Sequence, residues 1–189
     1  PALEKCGFKA PPEHLEEEGG GHALALLGFH RDASSLLYNL VESEPELVKQ
    51  TLVVDFNVAL HPAIAATGAH VHYGDLANPE TLHHLGLNNC QVIVCTIPDD
   101  LLRGIDNESL VHVVREMAPH AAIIANAIAI DEIQKVYEAG ADYVYLNRFE
   151  AAWTLQRAVQ AGIEQEIDQF RNKRQARNHY KPDRKEILS

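Results

Sequence analysis

A short turn that begins with glycine follows the first apolar run of the chain. It consists of Gly28-Phe29-His30-Arg31-Asp32-Ala33 and leads into a helical pattern. Gly28 would allow a tight turn, and the small Ala33 would let the next helix pack closely on the strand. The amides at the start of that helix, together with Arg31, predict a site for an anion such as a phosphate. His30 stands where dinucleotide-binding turns have their middle glycine, so its imidazole would either block a phosphate or, when protonated, pair with it.

Acidic and small residues also follow the next three predicted strands. Asp55 and Phe56 end the second predicted strand, and Asp55 lies 27 residues after Gly28. A carboxylate there would accept hydrogen bonds from a ribose 2′-hydroxyl and disfavour a 2′-phosphate, and its alternative role is to cap the following helix. The Gly74–Leu76 turn would approach an adenine edge, and Thr96 ends the fourth strand at the same side of the sheet. If a nucleotide binds, this pattern favours NAD(H), AMP or ATP over NADP.

Short apolar runs alternate with helical patterns from His22 onward. Runs that are apolar throughout indicate strands buried on both faces, and their alternation with helices indicates parallel strands joined by right-handed crossovers. The sequence therefore predicts an α/β fold with a Rossmann-like doubly wound parallel six-stranded sheet. The predicted strands are Ala23–Phe29, Leu52–Phe56, His70–Tyr73, Val92–Thr96, Ala121–Ala125 and Tyr143–Leu146.

Three segments differ in composition. Residues 1–21, with paired prolines, an acidic run and the glycine run 19–21, have the pattern of a linker, and a chain that begins with Pro1 rather than Met is expected to be processed or cut from a longer one. Residues 22–147 form the predicted Rossmann-like domain. Residues 148–189 are predicted to form a long C-terminal helix and a basic tail, whose last dozen residues fray. An apolar stripe from Ala152 to Phe170 needs a partner, and symmetric dimerisation is the common solution.

Composition excludes several classes of function. The net charge of −11 disfavours binding to nucleic acid. No apolar run reaches the roughly 18 residues that a membrane span needs. The three cysteines lack CxxC spacing, which favours a reducing compartment, and the 11 histidines match no zinc-binding spacing. The sequence thus predicts a domain in the cytosol without a metal site.

The turn and the strand ends together carry a family resemblance. The Gly28-to-Ala33 turn, Asp55, the Tyr73-Gly74-Asp75 sequence and Thr96 occur in this order along the chain. The series resembles the TrkA-N, or RCK, domain of bacterial potassium channels and transporters over about residues 22–165. The segment Gly28–Leu37 is similar to the Kef-type cation:proton antiporter branch in particular. The resemblance implies a cytosolic homodimer with a long crossover helix after the sixth strand, attached at its N-terminal side to a membrane transport domain.

The resemblance also implies roles for individual residues. Asp55 would contact the ribose, Asp75 and Leu76 would approach the adenine, and Thr96 would flank the phosphates. The phosphate turn would be lined by Gly28, His30, Arg31 and Ala33. The candidate site for NAD(H) or AMP/ATP therefore consists of Gly28, Phe29, His30, Arg31, Ala33, Asp55, Phe56, Gly74, Asp75, Leu76 and Thr96.

Three functions compete for this sequence. The leading hypothesis is a regulatory domain, without catalysis, whose nucleotide ligand gates ion flux through the dimer at the cytoplasmic face of the membrane. An NAD-dependent oxidoreductase is the first alternative, but no Tyr is followed four residues later by Lys and only a short segment remains for a substrate domain. The second alternative is a structural dimerisation domain without a ligand, which the bulk of His30 would favour.

Overall fold

The computed structural model of the protein describes residues 21–99, 101–102, 104–176 and 183–188. Six parallel strands form one sheet in the order β3-β2-β1-β4-β5-β6, which confirms the predicted doubly wound architecture. Most of the predicted linker, residues 1–20, lies outside the described residues. The strands are β1 Leu24–Leu27, β2 Thr51–Asp55, β3 His70–Tyr73, β4 Val92–Cys95, β5 Ala122–Asn126 and β6 Tyr143–Tyr145.

Helices follow the strands and cover both faces of the sheet. A short 3-10 helix, Leu87–Asn89, precedes β4. The α-helices are α1 Arg31–Ser43, α2 Pro45–Val48, α3 His61–Ala65, α4 Pro79–His83, α5 Asn107–Met117, α6 Ile130–Glu138, α7 Asn147–Ile163 and α8 Ile167–Ala176.

The alternation of side chains along each strand builds two separate cores. Successive residues of a strand point to opposite faces. Ala25 and Leu27 of β1 therefore join the core that contains α5, whereas Leu24 and Leu26 join the core on the α1 face. Because both faces are covered, all four residues of β1 are buried, which explains the uninterrupted apolar runs of the sequence.

The order of the strands in the sheet changes direction between β1 and β4: β2 and β3 follow β1 on one side, and β4, β5 and β6 extend on the other. β1 pairs with β2 on one side and with β4 on the other. In open parallel sheets the crevice for a ligand lies at this switch point, outside the carboxyl ends of the strands. The sheet thus gathers the turn after β1 and the ends of β2, β3 and β4 at one edge.

The C-terminal region differs from the single helix that the sequence predicted. The helix breaks between Ile163 and Ile167, where Gln165 has a positive φ of 61°. No residue of α7 or α8 is buried, and the apolar stripe lies largely exposed. Among the described residues, no helix has both the length and the hydropathy needed to cross a bilayer.

Residues 183–188, which the sequence predicted to fray, are packed against α1. Ile187 and Leu188 contact the core on the α1 face. The other residues of the predicted frayed tail, 178–182 and 189, lie outside the described residues.

Candidate nucleotide-binding site

The turn after β1 has a geometry that requires glycine. Gly28 has a φ of +80°, which side chains of L residues rarely allow, and its amide donates to Val54 O over 2.8 Å. A Cβ atom at this position would lie 2.1 Å from Ile97 Cδ1. Gly28 therefore permits both the reversal of the chain and the close approach of the loop after β4.

The start of α1 faces the same edge of the sheet. His30 is the N-cap residue in an extended conformation, and its side chain makes no capping hydrogen bond. The first helical bond runs from Ser34 N to His30 O, so the amides that precede Ser34 in the helix point out of its N-terminus. Arg31 is exposed beside them. The partial positive charge of this helix end and the Arg31 guanidinium favour an anion.

The carboxylate of Asp55 fastens the turn to the end of β2. Its Oδ2 accepts from Phe29 N over 2.7 Å, and its Oδ1 accepts from Asn57 N over 2.7 Å. Asp55 is only 3% exposed. A carboxylate has about four acceptor positions, so each oxygen retains one for a ribose hydroxyl. Asp55 thus has a structural role in the turn, and the ribose-binding role stays a prediction.

Three of the predicted site residues have side chains buried behind the turn. Phe29 and Ala33 belong to the core on the α1 face, so only their backbone atoms reach the edge. Thr96 is 1% exposed, and its Oγ1 donates to Gly28 O over 3.0 Å. These residues support the shape of the turn, and their side chains are not presented to the surface.

A cavity of about 290 Å³ opens beside the turn. It lies between the ends of β2 and β3 and the loop that joins β4 to α5. Asp75 contributes a carboxylate to a lining that is otherwise largely apolar. Ligand pockets for small molecules measure about 300–1,000 Å³, so this cavity is at the lower end of that range, on the scale of one base. The lining residues are Phe56, Tyr73, Asp75, Leu76, Ala77, Ile97, Leu101, Leu102 and Ile105.

The segment after β3 brings two predicted residues to this cavity. Gly74 is buried, and a Cβ there would approach Val54 Cγ1 to 2.5 Å, so glycine lets the chain pass over β2. Asp75 then turns the chain, with Oδ1 accepting from Ala77 N over 3.0 Å. As a result Leu76 is buried at the cavity wall while the Asp75 carboxylate remains exposed.

The loop after β4 is held by a polar contact at the start of α5. Asp99 Oδ1 accepts from Asn107 N over 2.7 Å, and Asn107 Nδ2 donates to Ile97 O over 2.9 Å. Burial raises the pKa of the Asp99 carboxyl. These contacts fix the Ile97 end of the loop, so the cavity wall at Ile97 is preformed.

A second group of polar residues, at the ends of β5 and β6, was missed by sequence reasoning. Asp32 Oδ2 accepts from Tyr145 Oη over 3.3 Å and from Asn147 Nδ2 over 2.9 Å. Burial and the neighbouring Asp32 carboxylate raise the pKa of Tyr145, whereas a hydrogen bond with Asn126 lowers it less. We call Asp32, Asn126, Tyr145 and Asn147 the β6 polar cluster. The one signal for this cluster in the sequence was Asp32, an acidic residue inside the glycine turn, where a bound phosphate would favour a positive charge.

The structure thus divides the predicted residues into three groups. Phe56, Asp75 and Leu76 meet at the cavity, whereas His30 and Arg31 lie at the N-terminus of α1. Gly28, Gly74 and the buried residues shape the backbone between them. Within the described residues, no group of three or more His, Cys, Asp and Glu side chains is arranged to hold a metal ion.

Solved structures with this fold include a domain of an inner membrane protein and a channel. The TrkA-N domain of the inner membrane protein ybaL from Escherichia coli is 24% identical, with a TM-score of 0.63 over 73% of this chain and 96% of that one. The GsuK channel bound to NAD is 23% identical, with a TM-score of 0.57 over 72% of this chain but only 23% of the channel. GsuK bound to ADP is 21% identical, with a TM-score of 0.54 over 67% of this chain and 31% of that one. At these identities the matches establish the fold.

A comparison with protein-family models assigns the chain to a family, although a search of curated proteins found no match. The model of the TrkA-N domain matches residues 24–147, from the start of β1 to the start of α7. This range contains the glycine turn, the cavity and the β6 polar cluster. The chain belongs to the TrkA-N domain family.

Proposed function

We propose that this TrkA-N domain is a cytosolic sensor of adenine nucleotides that regulates a membrane potassium or cation transporter. The transporter would be of the Kef-type cation:proton antiporter branch, attached at the N-terminal side of the domain. Support comes from the family, from the similarity to a domain of an inner membrane protein, and from the similarity to a channel bound to NAD or ADP.

The observation that carries the proposal is the cavity beside an anion-binding helix end. An adenine ring is flat and largely apolar, and the cavity offers it the exposed Phe56 and Tyr73 rings together with aliphatic walls. Asp75 lies where it can accept a hydrogen bond from an exocyclic amine. The ribose would lie near Asp55, and the phosphates would extend to the N-terminus of α1 and Arg31.

The two halves of the sheet edge favour a mononucleotide such as AMP or ATP over NAD(H). The cavity offers room for one base, and in the β6 polar cluster the Tyr145 hydroxyl and the Asn147 amide already donate to Asp32, although Asn126 Oδ1 is buried without a partner among the described residues. The second base of a dinucleotide would have to displace those bonds. The buried carboxylate of Asp55 disfavours a 2′-phosphate, so NADP is the least favoured ligand.

The exposed stripe of α7 supports a homodimer. Leu155, Val159 and Ile163, four residues apart on one face of this helix, are 64%, 61% and 72% exposed. Contiguous apolar surface of this kind marks an interface in soluble domains. A second copy of α7 would cover the stripe, and a nucleotide that binds one arrangement of the dimer better than another would shift the equilibrium between them.

A role in binding without catalysis fits the chemistry of the edge. A proton donor for hydride transfer needs a pKa near the working pH. Tyr145 has its pKa raised instead, by burial and by the Asp32 carboxylate that accepts a hydrogen bond from its hydroxyl. This phenol is therefore held in its protonated form and is not poised to donate.

Calorimetry with AMP, ADP, ATP, NAD⁺ and NADH tests the proposal. A ligand at 100 times its dissociation constant should stabilise the fold by about 2.7 kcal/mol. Phe56→Ala removes one aromatic wall of the cavity and should weaken binding about tenfold, the scale of one base–aromatic contact. Val58→Ala is the matched control, because Val58 is similarly exposed two residues away but lies outside the cavity lining.

The outcome separates the sensor from a structural domain. Binding that Phe56→Ala weakens and Val58→Ala preserves supports the sensor. If none of the five nucleotides binds, the proposal is wrong and dimerisation without a ligand remains.

A further inference from the structure

The outer face of α1 carries a short segment from much later in the chain. Residues 183–188, called here the 183–188 segment, lie against Ser34 and Ser35. Leu188 N donates to Ser34 Oγ over 2.8 Å, and Ser35 Oγ donates to Glu186 Oε2 over 2.7 Å. Helix α1 therefore forms hydrogen bonds with a backbone amide and with a side-chain carboxylate of the segment.

Arg184 makes the most extensive contacts of this segment. Its guanidinium lies 4.3 Å from the centre of the Tyr38 ring. It donates to Asn39 Oδ1 over 2.8 Å and to Ser35 O over 3.1 Å, and it pairs with Glu186. The planar fork of arginine suits stacking and several simultaneous hydrogen bonds, which a lysine would not reproduce.

The ion pair between Arg184 and Glu186 is shielded from solvent. Their side chains are 16% and 14% exposed. Charges removed from water in this way are costly unless geometry and hydrogen bonds satisfy them, and here α1 supplies those partners. The contact is therefore specific to these two residue types at this spacing.

Apolar residues complete the contact. Ile187 and Leu188 pack against the core on the α1 face, together with Leu36 and Leu40 of the helix. Polar matching beside an apolar anchor is the arrangement found at recognition surfaces between proteins. A segment that only covered the helix would need the apolar contacts but not the matched hydrogen bonds.

Helix α1 holds both ends of the α7–α8 region. The beginning is tied by Asn147 Nδ2, which donates to Asp32 Oδ2 over 2.9 Å. The end is tied by the 183–188 segment. Between these points no residue of α7 or α8 is buried, and the further bonds to the domain come from the first turn of α7, where Arg148 donates to Ile128 O and Glu150 accepts from Tyr143 Oη.

We propose that the outer face of α1 is a peptide-binding surface whose ligand is the 183–188 segment of the same chain. It recognises the pattern Arg-x-Glu followed by two apolar residues. The docked segment closes α7 and α8 into a loop whose two ends rest on the helix that begins at the phosphate turn. This inference goes beyond the proposed function and holds whether or not a nucleotide binds.

Amide hydrogen exchange measured by NMR tests the docking directly. In the native chain the Leu188 amide should be protected, because it donates to Ser34 Oγ. Arg184→Ala and Glu186→Ala should each speed its exchange at least tenfold. Lys185→Ala is the matched control, since Lys185 is exposed within the same segment, and it should leave the rate unchanged.

A labelled synthetic peptide of residues 183–188 supplies the second measurement. A tethered segment competes at an effective concentration in the millimolar range, so the native chain should bind the peptide at least tenfold more weakly than the Arg184→Ala chain. A peptide with alanine at its arginine position should bind neither chain.

Three results would overturn the proposal. The first is an unprotected Leu188 amide in the native chain. The second is equal behaviour of the Arg184→Ala and Lys185→Ala chains in both measurements. The third is a loss of oligomeric state caused by Arg184→Ala, because the segment would then dock on another chain instead of its own.

Discussion

The two halves of the carboxyl edge of the sheet use similar residues in opposite ways. Beside β2 and β3, the Phe56 and Tyr73 rings are 63% and 56% exposed around an open cavity. Beside β5 and β6, the hydroxyl of Tyr145 is bonded to Asp32, and Asn126 is 1% exposed. One half presents exposed apolar surface to a ligand, whereas in the other the Tyr145 hydroxyl and the Asn147 amide are bonded to Asp32, and Asn126 Oδ1 is buried without a partner among the described residues.

If a nucleotide binds, we expect this difference to make the domain prefer half of a dinucleotide. An apolar cavity gains free energy when a flat base covers it. Polar groups that are already bonded, as those of Tyr145 and Asn147 are, gain little from a ligand, because each new hydrogen bond replaces an existing one. The geometry of the switch point is common to both halves, so we expect the side chains at the strand ends to decide which half would bind a nucleotide.

Gly28→Ala should produce the largest effect, because Gly28 lies between the two halves. The new Cβ would collide with Ile97, and the positive φ would be strained. We expect a loss of about 2–4 kcal/mol in the free energy of unfolding, measured by urea denaturation. Nucleotide binding should be lost as Ile97 moves into the cavity.

Gly68→Ala provides the control for backbone strain alone. Gly68 has a φ of +96° with no atom within 4 Å of the position of its Cβ. This substitution should cost about 1–2 kcal/mol and leave nucleotide affinity unchanged. Equal effects of the two substitutions on binding would contradict the role of Ile97 as a cavity wall.

Asp32→Ala should open the closed half. It removes the acceptor shared by Tyr145 and Asn147, so the second base of NAD would no longer have to break their bonds. The ratio of NAD affinity to AMP affinity should rise about tenfold, the scale of one hydrogen bond to a charged group. Titration calorimetry with both ligands measures the ratio.

Asp32→Asn separates the loss of charge from the loss of the acceptor. The amide oxygen can still accept from Tyr145 and Asn147, while the negative charge is gone. Both affinities should then rise together and their ratio should stay constant. A changed ratio in this variant would mean that charge, rather than closure, selects the ligand.

Tyr145→Phe should have the smallest effect, visible only at alkaline pH. The pKa of Tyr145 is raised in the folded state, so its contribution is complete below the unfolded value of about 10 and is lost as the pH rises past it. The native chain should therefore lose about 1 kcal/mol more stability than the variant between pH 9 and pH 11. If the native chain and the variant lost the same stability over this pH range, as measured by urea denaturation, Tyr145 would not be buried beside Asp32.

The fold was predictable because local and long-range signals agree. The buried runs of β1, β2 and β4 are apolar on both faces, which parallel strands between helix layers require. The break at Gln165 was not predictable, because the apolar spacing continues through it. The docking of Arg184 on Tyr38 also depends on a contact across 146 positions of sequence, which periodicity does not encode.

The candidate site was predictable where the backbone dictates the residue. The positive φ at Gly28 and the turn at Gly74–Asp75 follow from residue type, and Asp55 lies at a strand end that a parallel sheet brings to the edge. The apolar lining from Leu101, Leu102 and Ile105 was missed because a loop has no periodicity. The β6 polar cluster was missed because Tyr145 and Asn147 lie more than 100 residues after Asp32 in the sequence.

Intermolecular NOE measurements on methyl-labelled protein with bound AMP test the central claim, that the adenine lies in the cavity beside β2 and β3. The account predicts NOEs from the adenine protons to methyl groups of Leu76, Ile97 and Ile105. Bound AMP that shows NOEs to Ile128, beside the ends of β5 and β6, and none to these three would contradict it.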